Sequence, residues 1–137
     1  MPYQYIEHTS DIGIQAENST LKNLLKDLLE GFLNIYFEKI ETIEKSSQKQ
    51  TLVFPADSLQ NMIVDLMNEC IFIIETSETI PVEILEVKKE EDTYSITILK
   101  KRRNSKTEFG LPIKAATYHQ LEIKTTPNYF LRIIFDV

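Results

Sequence analysis

Three acidic groups in this chain have the chemistry of a metal site, although they lie at opposite ends of the sequence. Asp11 ends the polar stretch "HTSD", which interrupts the first strand-like segment, and Asp136 is followed at once by Val137. Crowded carboxylates repel one another unless a cation neutralises them, and hard divalent ions prefer oxygen ligands. The residues allow two interpretations. One is a cation site formed by Asp11, Asp136 and the α-carboxylate of Val137, which requires the first and last strands to be neighbours. The other is a turn aspartate and a solvated C terminus.

The common catalytic arrangements are absent from the sequence. Only three glycines occur, so there is no glycine-rich phosphate loop, and neither GxSxG, HExxH nor a cysteine-based zinc spacing is found. His8 and His119 are too few for a histidine-rich metal site. Adjacent residues on a strand point to opposite faces, which argues against a Ser-His-Asp triad within "HTSD". The single Cys70 lies on an apolar helical stripe, so it is interpreted as core.

Composition and charge are those of an acidic protein with one basic segment. The 137 residues fit a single domain, 1–137, with a net charge of −6. Acidic proteins are poor general binders of nucleic acid. The exception is "KKRRNSK" (100–106), which is either a solvated hairpin tip or, with Lys88 and Lys89, a basic patch. No signal peptide, membrane-length apolar run or disulfide pair is present, so we expect a cytoplasmic protein that does not enter membranes.

Two amphipathic helices stand out. Residues 21–33 place leucines and Phe32 at the i, i+3, i+4, i+7 spacing of one helix face, with Ser19 or Thr20 as the N-cap. A second stripe runs from Leu59 to Ile74. Its predicted N-cap is Asp57, because Gln60 three residues later gives a capping-box-like pattern.

The remaining segments have the character of strands. Two precede the first helix, one lies between the helices, and about five follow the second helix; these five are "PVEILEV", "TYSITILKK", "LPIKAATYH", "LEIKT" and "YFLRIIFDV". Short connections between consecutive strands favour antiparallel pairing. The predicted fold is therefore α+β, with the order ββαβα followed by about five strands. One or two curved antiparallel sheets should carry both helices on one side.

Five motifs, in order and correctly spaced, resemble those of the archease family. "YIEHTSDIGIQAE" is similar to the family's opening EHTADxGxxA motif. "STLKNLLKDLLEGFLNIYFE" and "DSLQNMIVDLMNECIFI" resemble its two helices, the second with a central Leu-x-Asn-Glu element. "GLPIKAATYHQLEI" is similar to the KAxTYHxLxI strand pair, and "IIFDV" to the C-terminal ending. Ser10 replaces the usual alanine and Cys70 the usual leucine, and neither departure conflicts with the assignment.

The resemblance implies a function that residue chemistry does not reveal. Archeases are accessory proteins of the RNA ligase that joins tRNA halves; they promote guanylylation of a ligase histidine and repeated turnover without being ligases. The implied partners are therefore this ligase and, indirectly, tRNA and GTP at the ligase site. Two alternatives remain. One is an RNA- or tRNA-binding, chaperone-like module for tRNA-modifying enzymes that acts through residues 100–106. The other is an autonomous metal-dependent phosphatase.

The resemblance also implies site residues. The family binds one divalent metal ion, such as calcium, magnesium or manganese, through residues that correspond to Asp11, Asp136 and Val137. Lys114 corresponds to a family lysine thought to assist activation, the alternative being an ordinary outward-facing strand lysine. His8 is expected to be a hydrogen-bonded structural histidine, or else to orient Asp11 or contact the partner.

Overall fold

The computed structural model of the protein describes residues 2–7 and 11–137. Within these ranges the elements follow in the order β1 (Tyr3–Glu7), β2 (Asp11–Asn18), α1 (Leu21–Tyr36), β3 (Phe37–Lys39), β4 (Thr42–Pro55), α2 (Leu59–Thr76), β5 (Thr79–Lys89), β6 (Thr93–Arg103), β7 (Glu108–Phe109), β8 (Ala115–Lys124) and β9 (Tyr129–Asp136).

The described strands form three antiparallel sheets, and the two helices pack against the two larger ones. One sheet has the order β1-β2-β9-β8, a second has the order β4-β6-β5, and β3 pairs with β7. α1 packs against β2 and β5, and α2 against β8 and β5, so the helices join the two larger sheets. The predicted α+β class with antiparallel sheets is confirmed. Strand β9 is central in its sheet, as its two apolar faces require.

Both helices begin at side-chain caps, one of them not the predicted residue. Thr20 caps α1, because its Oγ1 accepts a hydrogen bond from the Asn23 N–H at 3.1 Å. The expected Asp57 cap of α2 is wrong. The cap is Ser58, whose extended backbone lets its hydroxyl oxygen accept from the Asn61 N–H at 3.0 Å. Both residue types suit the position, and the helix start at Leu59 decides between them.

Two strand assignments also change. The predicted segments "LPIKAATYH" and "LEIKT" are one strand, β8, whose register shifts between Thr117 and Glu122. The strand cannot begin at Leu111, because the amide groups of Gly110 and Leu111 donate to the Tyr36 and Ile35 carbonyls, at 2.8 and 2.9 Å. These bonds satisfy carbonyl groups in the last turn of α1 that have no partner within the helix.

The apolar helix faces form one core with the inner faces of the sheets. Phe32 of α1 and Phe135 of β9 are fully buried, with ring centroids 5.7 Å apart. Gly31 permits close packing of α1, because a Cβ atom there would lie 3.1 Å from the Tyr3 ring. Cys70 is fully buried as predicted, and burial raises the pKa of its thiol to about 12, which keeps it protonated and unreactive. Among the described residues, no helix is long and apolar enough to cross a bilayer.

Replacing Tyr36 with phenylalanine should destabilise the protein at neutral pH, and less so at high pH. The buried Tyr36 hydroxyl donates to the Glu75 carboxylate and so joins α1 to α2. We expect a loss of about 1–2 kcal/mol in the free energy of unfolding at pH 7, measured by urea denaturation. Burial, with help from Glu75, raises the Tyr36 pKa above its ordinary value of 10.

The pH dependence follows from that shift. Above pH 10 the unfolded chain releases the Tyr36 proton while the folded protein keeps it, so wild-type stability falls as pH rises. The contribution is about 1.4 kcal/mol per pH unit and is absent from the variant. Tyr5 shifts in the same direction in both proteins and cancels in the comparison. Parallel stability curves for the two proteins between pH 9 and 11 would contradict this account.

Candidate functional site

The first and last strands are neighbours, and this brings the two predicted aspartates together. Strands β2 and β9 pair over eight positions, and the pair at one end is Asp11 with Asp136. Directly opposite residues of an antiparallel pair have Cα atoms about 4.5–5.5 Å apart, and their side chains leave the same face. The two aspartates therefore lie side by side at one end of the two central strands. We call them the acid pair.

The acid pair has small neighbours on its face of the sheet. Ala115 lies opposite Asp136 on the other side, and Gly13 is the next residue of β2 on that face. A Cβ atom at Gly13 would lie 2.9 Å from the Ile134 side chain and 3.1 Å from Ile6. Asp136 is exposed and Asp11 half-buried. Asp136 can therefore be reached from solvent at the end of the two central strands, whereas one carboxylate oxygen of Asp11 is buried.

The donor set suits a hard divalent cation if a third acidic group joins it. In the part of the chain that the structure describes, no three His, Cys, Asp or Glu side chains come together to hold a metal ion. The two aspartates are adjacent, however, and Val137 follows Asp136 with its side chain packed against the core. This anchoring keeps the end of β9 in place. Of the predicted ligands, the structure brings Asp11 and Asp136 together, and carboxylate oxygens are the donors that a hard divalent cation prefers; the contribution of Val137 stays a prediction.

Lys114 lies beside the acid pair, one residue before β8. Its backbone N–H donates to the Asp136 carbonyl at 2.8 Å, and its side chain is exposed. Lys114 precedes β8, so the alternative interpretation as a strand lysine does not describe its position, although the residue is exposed. Its predicted role in activation stays a prediction. His8, the other residue expected to help, lies outside the described residues.

Sequence reasoning did not find the residues that hold β8. Asn68 of α2 accepts from the Ala116 N–H at 2.8 Å and donates to the Ala116 carbonyl at 3.4 Å. Two turns earlier in α2, Asn61 accepts a hydrogen bond from the Tyr118 hydroxyl at 2.9 Å. The two asparagines are seven residues apart, which places them on one face of α2. Two sequence signals could have suggested their role: this spacing, and the Leu-x-Asn-Glu element of the second helix, which contains Asn68.

The basic stretch 100–106 is not a uniformly solvated tip, and it does not join Lys88 and Lys89. Residues 100–103 belong to β6. Lys101 pairs with Glu44 at 3.0 Å, Arg102 with Glu78 at 2.9 Å, and Arg103 lies over the Phe109 ring. Lys88 pairs in register with Ser95, seven residues from Arg102 along β6, or roughly 23 Å. The alternative of a basic patch with Lys88 and Lys89 is therefore not supported, because the strand separates its halves and acidic side chains neutralise two of its cations.

Comparisons with known proteins agree with the motifs over almost the whole chain. Residues 3–137 match the family model described as the Archease protein family (MTH1598/TM1083). The chain is similar to the protein archease of Methanosarcina mazei, at 28% identity over 98% of this chain and 95% of the relative. It is also similar to that of Thermoplasma volcanium, at 24% identity over the full length of both.

Two solved structures share the fold. The solution structure of Methanobacterium thermoautotrophicum protein 1598 superimposes with a TM-score of 0.74, at 14% identity over 99% of both chains. The Thermotoga maritima crystal structure, described as an archease and possible chaperone, gives a TM-score of 0.64, at 23% identity over 96% of this chain and 94% of that one. At these identities the likeness concerns the fold. The family model, which matches all but the first two residues, shows that this chain belongs to the archease family.

Proposed function

We propose that this protein is an activator of the tRNA-splicing RNA ligase. It binds one divalent cation through Asp11, Asp136 and the carboxylate of Val137, and it promotes guanylylation of the ligase and its repeated turnover. Membership of the archease family supports the assignment. The observation that carries it is the register of β2 and β9, which sets Asp11 directly opposite Asp136.

The properties of the acid pair suit a site that is presented to another protein. The bound cation would supply charge to offset the repulsion of the carboxylates and a positive centre for phosphate oxygens. The chain's own residues hold the position: eight register pairs fix Asp11 against Asp136, and the core anchors Val137. Lys114 adds a cation beside them that can approach phosphate groups of GTP at the ligase site. A site at the exposed end of a strand can enter the active-site cleft of a partner.

The ion pairs of the basic stretch weigh against the alternative function. An RNA-binding, chaperone-like module would need cations at 100–106 that are available to phosphate groups. Lys101, Arg102 and Arg103 already contact an acidic or aromatic side chain. A groove of about 380 Å³ lies between α1 and β5, but none of the predicted site residues lines it. The groove therefore does not support the alternative of a phosphatase that uses those residues.

The decisive experiment is guanylylation of a cognate ligase with radiolabelled GTP, with and without this protein. We expect a stimulation of at least tenfold and multiple turnovers on a tRNA exon substrate. Replacing Lys100, Lys101, Arg102 and Arg103 with glutamine should leave this stimulation within about twofold of wild type. Retained stimulation separates the ligase activator from the RNA-binding module, which would fail in this variant.

Two outcomes would contradict the proposal. One is a ligase whose guanylylation rate is the same with and without the protein, in a preparation that is folded by circular dichroism. The other is hydrolysis of phosphate esters by the purified protein alone, which would make it an enzyme. The melting temperature of the variant with glutamine at positions 100–103 must be compared with that of wild type, because the substitutions remove the ion pairs to Glu44 and Glu78.

A further inference from the structure

The N-terminal end of β8 has little support from its own sheet. β8 is an edge strand, so only β9 pairs with it. That pairing begins with three positions, Ala115 to Thr117, before the register shifts. In the bulge that follows, Gln120 has a positive φ of 52°. The start of β8 is held to β9 by the Lys114 amide and the Thr117 hydroxyl, and contacts from outside the sheet can add to this support.

Asn68 provides such a contact in the manner of a neighbouring strand. A carboxamide has the same donor and acceptor groups as a peptide unit. The Asn68 side chain engages both the N–H and the carbonyl of Ala116, at 2.8 and 3.4 Å. It thereby occupies the edge that another strand would take. Two residues earlier, the Lys114 N–H reaches the Asp136 carbonyl at 2.8 Å.

The acid pair and Lys114 are thus held by different parts of the structure. Strands β2 and β9 fix Asp11 and Asp136 through eight register pairs. Helix α2 fixes the start of β8, and with it Lys114, through the two bonds between Asn68 and Ala116. The two supports meet where β8 pairs with β9, through the bond from Lys114 to Asp136 and the register pairs that begin at Ala115, whereas the eight pairs between β2 and β9 do not involve α2. A change in one support should therefore leave the other in place.

We propose that Asn68 is a positioning residue that holds Lys114 beside the acid pair, so that the lysine and the bound cation can contact one phosphate-bearing ligand together. The role in ligase activation rests on the proposed function. The placement of Lys114 by Asn68 does not, and it can be tested on this protein alone. Asn61 is the matched control, because it has the same side chain on the same face of α2 but contacts Tyr118 instead of Ala116.

The first test measures the protein by itself. In Asn68→Ala, hydrogen exchange of the Lys114 and Ala116 amides, followed by NMR, should accelerate at least tenfold, whereas Asn61→Ala should leave both unchanged. The affinity for Mn²⁺, measured by titration calorimetry, should stay within twofold in both variants. If Asn68→Ala proves unfolded, Asn68→Asp serves in its place, since it keeps the acceptor for the Ala116 N–H and loses the donor. Unchanged exchange at Lys114 in a folded Asn68 variant would overturn the proposal.

The second test is a double-mutant cycle for stimulation of ligase guanylylation. Asn68→Ala and Lys114→Ala should each lower the stimulation at least tenfold, and the double variant should match Lys114→Ala within twofold. Losses that multiply would show a merely structural role for Asn68 and would overturn its action through Lys114. If wild type does not stimulate the ligase, the proposed function fails, while the exchange measurement still decides whether Asn68 positions Lys114.

Discussion

Asp136→Asn is expected to abolish cation binding and to lower the stimulation of ligase guanylylation by about 100-fold or more. The substitution removes one carboxylate of the acid pair and keeps the size of the side chain. Residues that only support metal ligands already cost about 10–100-fold when changed, so the loss of a ligand should cost at least as much. Asp11→Asn should behave in the same way, because Asp11 is the directly opposite residue.

The same variant should remain folded. Asp136 is exposed, and asparagine has nearly the same size as aspartate, so the change should cost the folded state little. Adding Ca²⁺, Mg²⁺ or Mn²⁺ should raise the melting temperature of wild type but not of the variant. A ligand at 100 times its Kd stabilises the folded state by about 2.7 kcal/mol, which a thermal melt resolves easily.

Glu17→Gln is the matched control for this prediction. Glu17 belongs to the same face of β2 as Asp11 but pairs with Phe130, six residues or roughly 20 Å away. The control makes the same change in charge and should bind the cation normally. Normal stimulation by a folded Asp136→Asn protein would refute the assignment of the acid pair.

The contribution of Val137 can be separated from that of the aspartates. Extra residues fused after Val137 would convert its α-carboxylate into an amide, whereas the same residues before Met1 would leave the site untouched. We therefore expect the C-terminal fusion to bind the cation at least tenfold more weakly than the N-terminal one. Equal affinities in a calorimetric titration would remove the terminus from the ligand set.

Gly110→Val should have the largest effect on stability, about 3 kcal/mol or more in the free energy of unfolding. A Cβ atom at this position would lie 2.8 Å from the Ile35 carbonyl oxygen and 3.4 Å from backbone atoms of Phe37 and Glu38. Backbone atoms cannot move away cheaply. The clash would also break the bonds from Gly110 and Leu111 to the last turn of α1. Overpacking typically costs 1–3 kcal/mol, and each lost hydrogen bond about 1 kcal/mol.

Gly31→Ala is the control for this second prediction. Its Cβ atom would meet the Tyr3 ring at 3.1 Å, which is a side chain, and alanine gains roughly 1 kcal/mol of helix propensity over glycine. The free energy of unfolding in urea should therefore stay within about 1 kcal/mol of wild type. A Gly110→Val protein as stable as Gly31→Ala would show that the segment 110–111 does not fasten α1.

Local patterns in the sequence predicted the helices well. The spacing of the leucines in α1 and of the apolar stripe in α2 follows directly from 3.6 residues per turn, and the buried residues match it. The cap of α1 could also be predicted, to Ser19 or Thr20, because an N-cap depends only on the next three residues. Errors occurred where a second suitable residue was adjacent, as at Asp57 and Ser58. They also occurred where a distant element decided the outcome, as for Leu111, whose amide bonds to α1 instead of starting a strand.

For the candidate site too, the types of the residues could be predicted from the sequence, but their contacts with distant residues could not. The sequence by itself indicated Asp11, Asp136 and Val137 as candidate cation ligands, and its motifs identified the family. Only the tertiary structure decided that Asp11 lies opposite Asp136, because strand register links residues at opposite ends of the chain and no local pattern encodes that pairing. The hydrogen bonds between Asn68 and Ala116 could not be predicted for the same reason, since they join a helix to an edge strand 48 residues away.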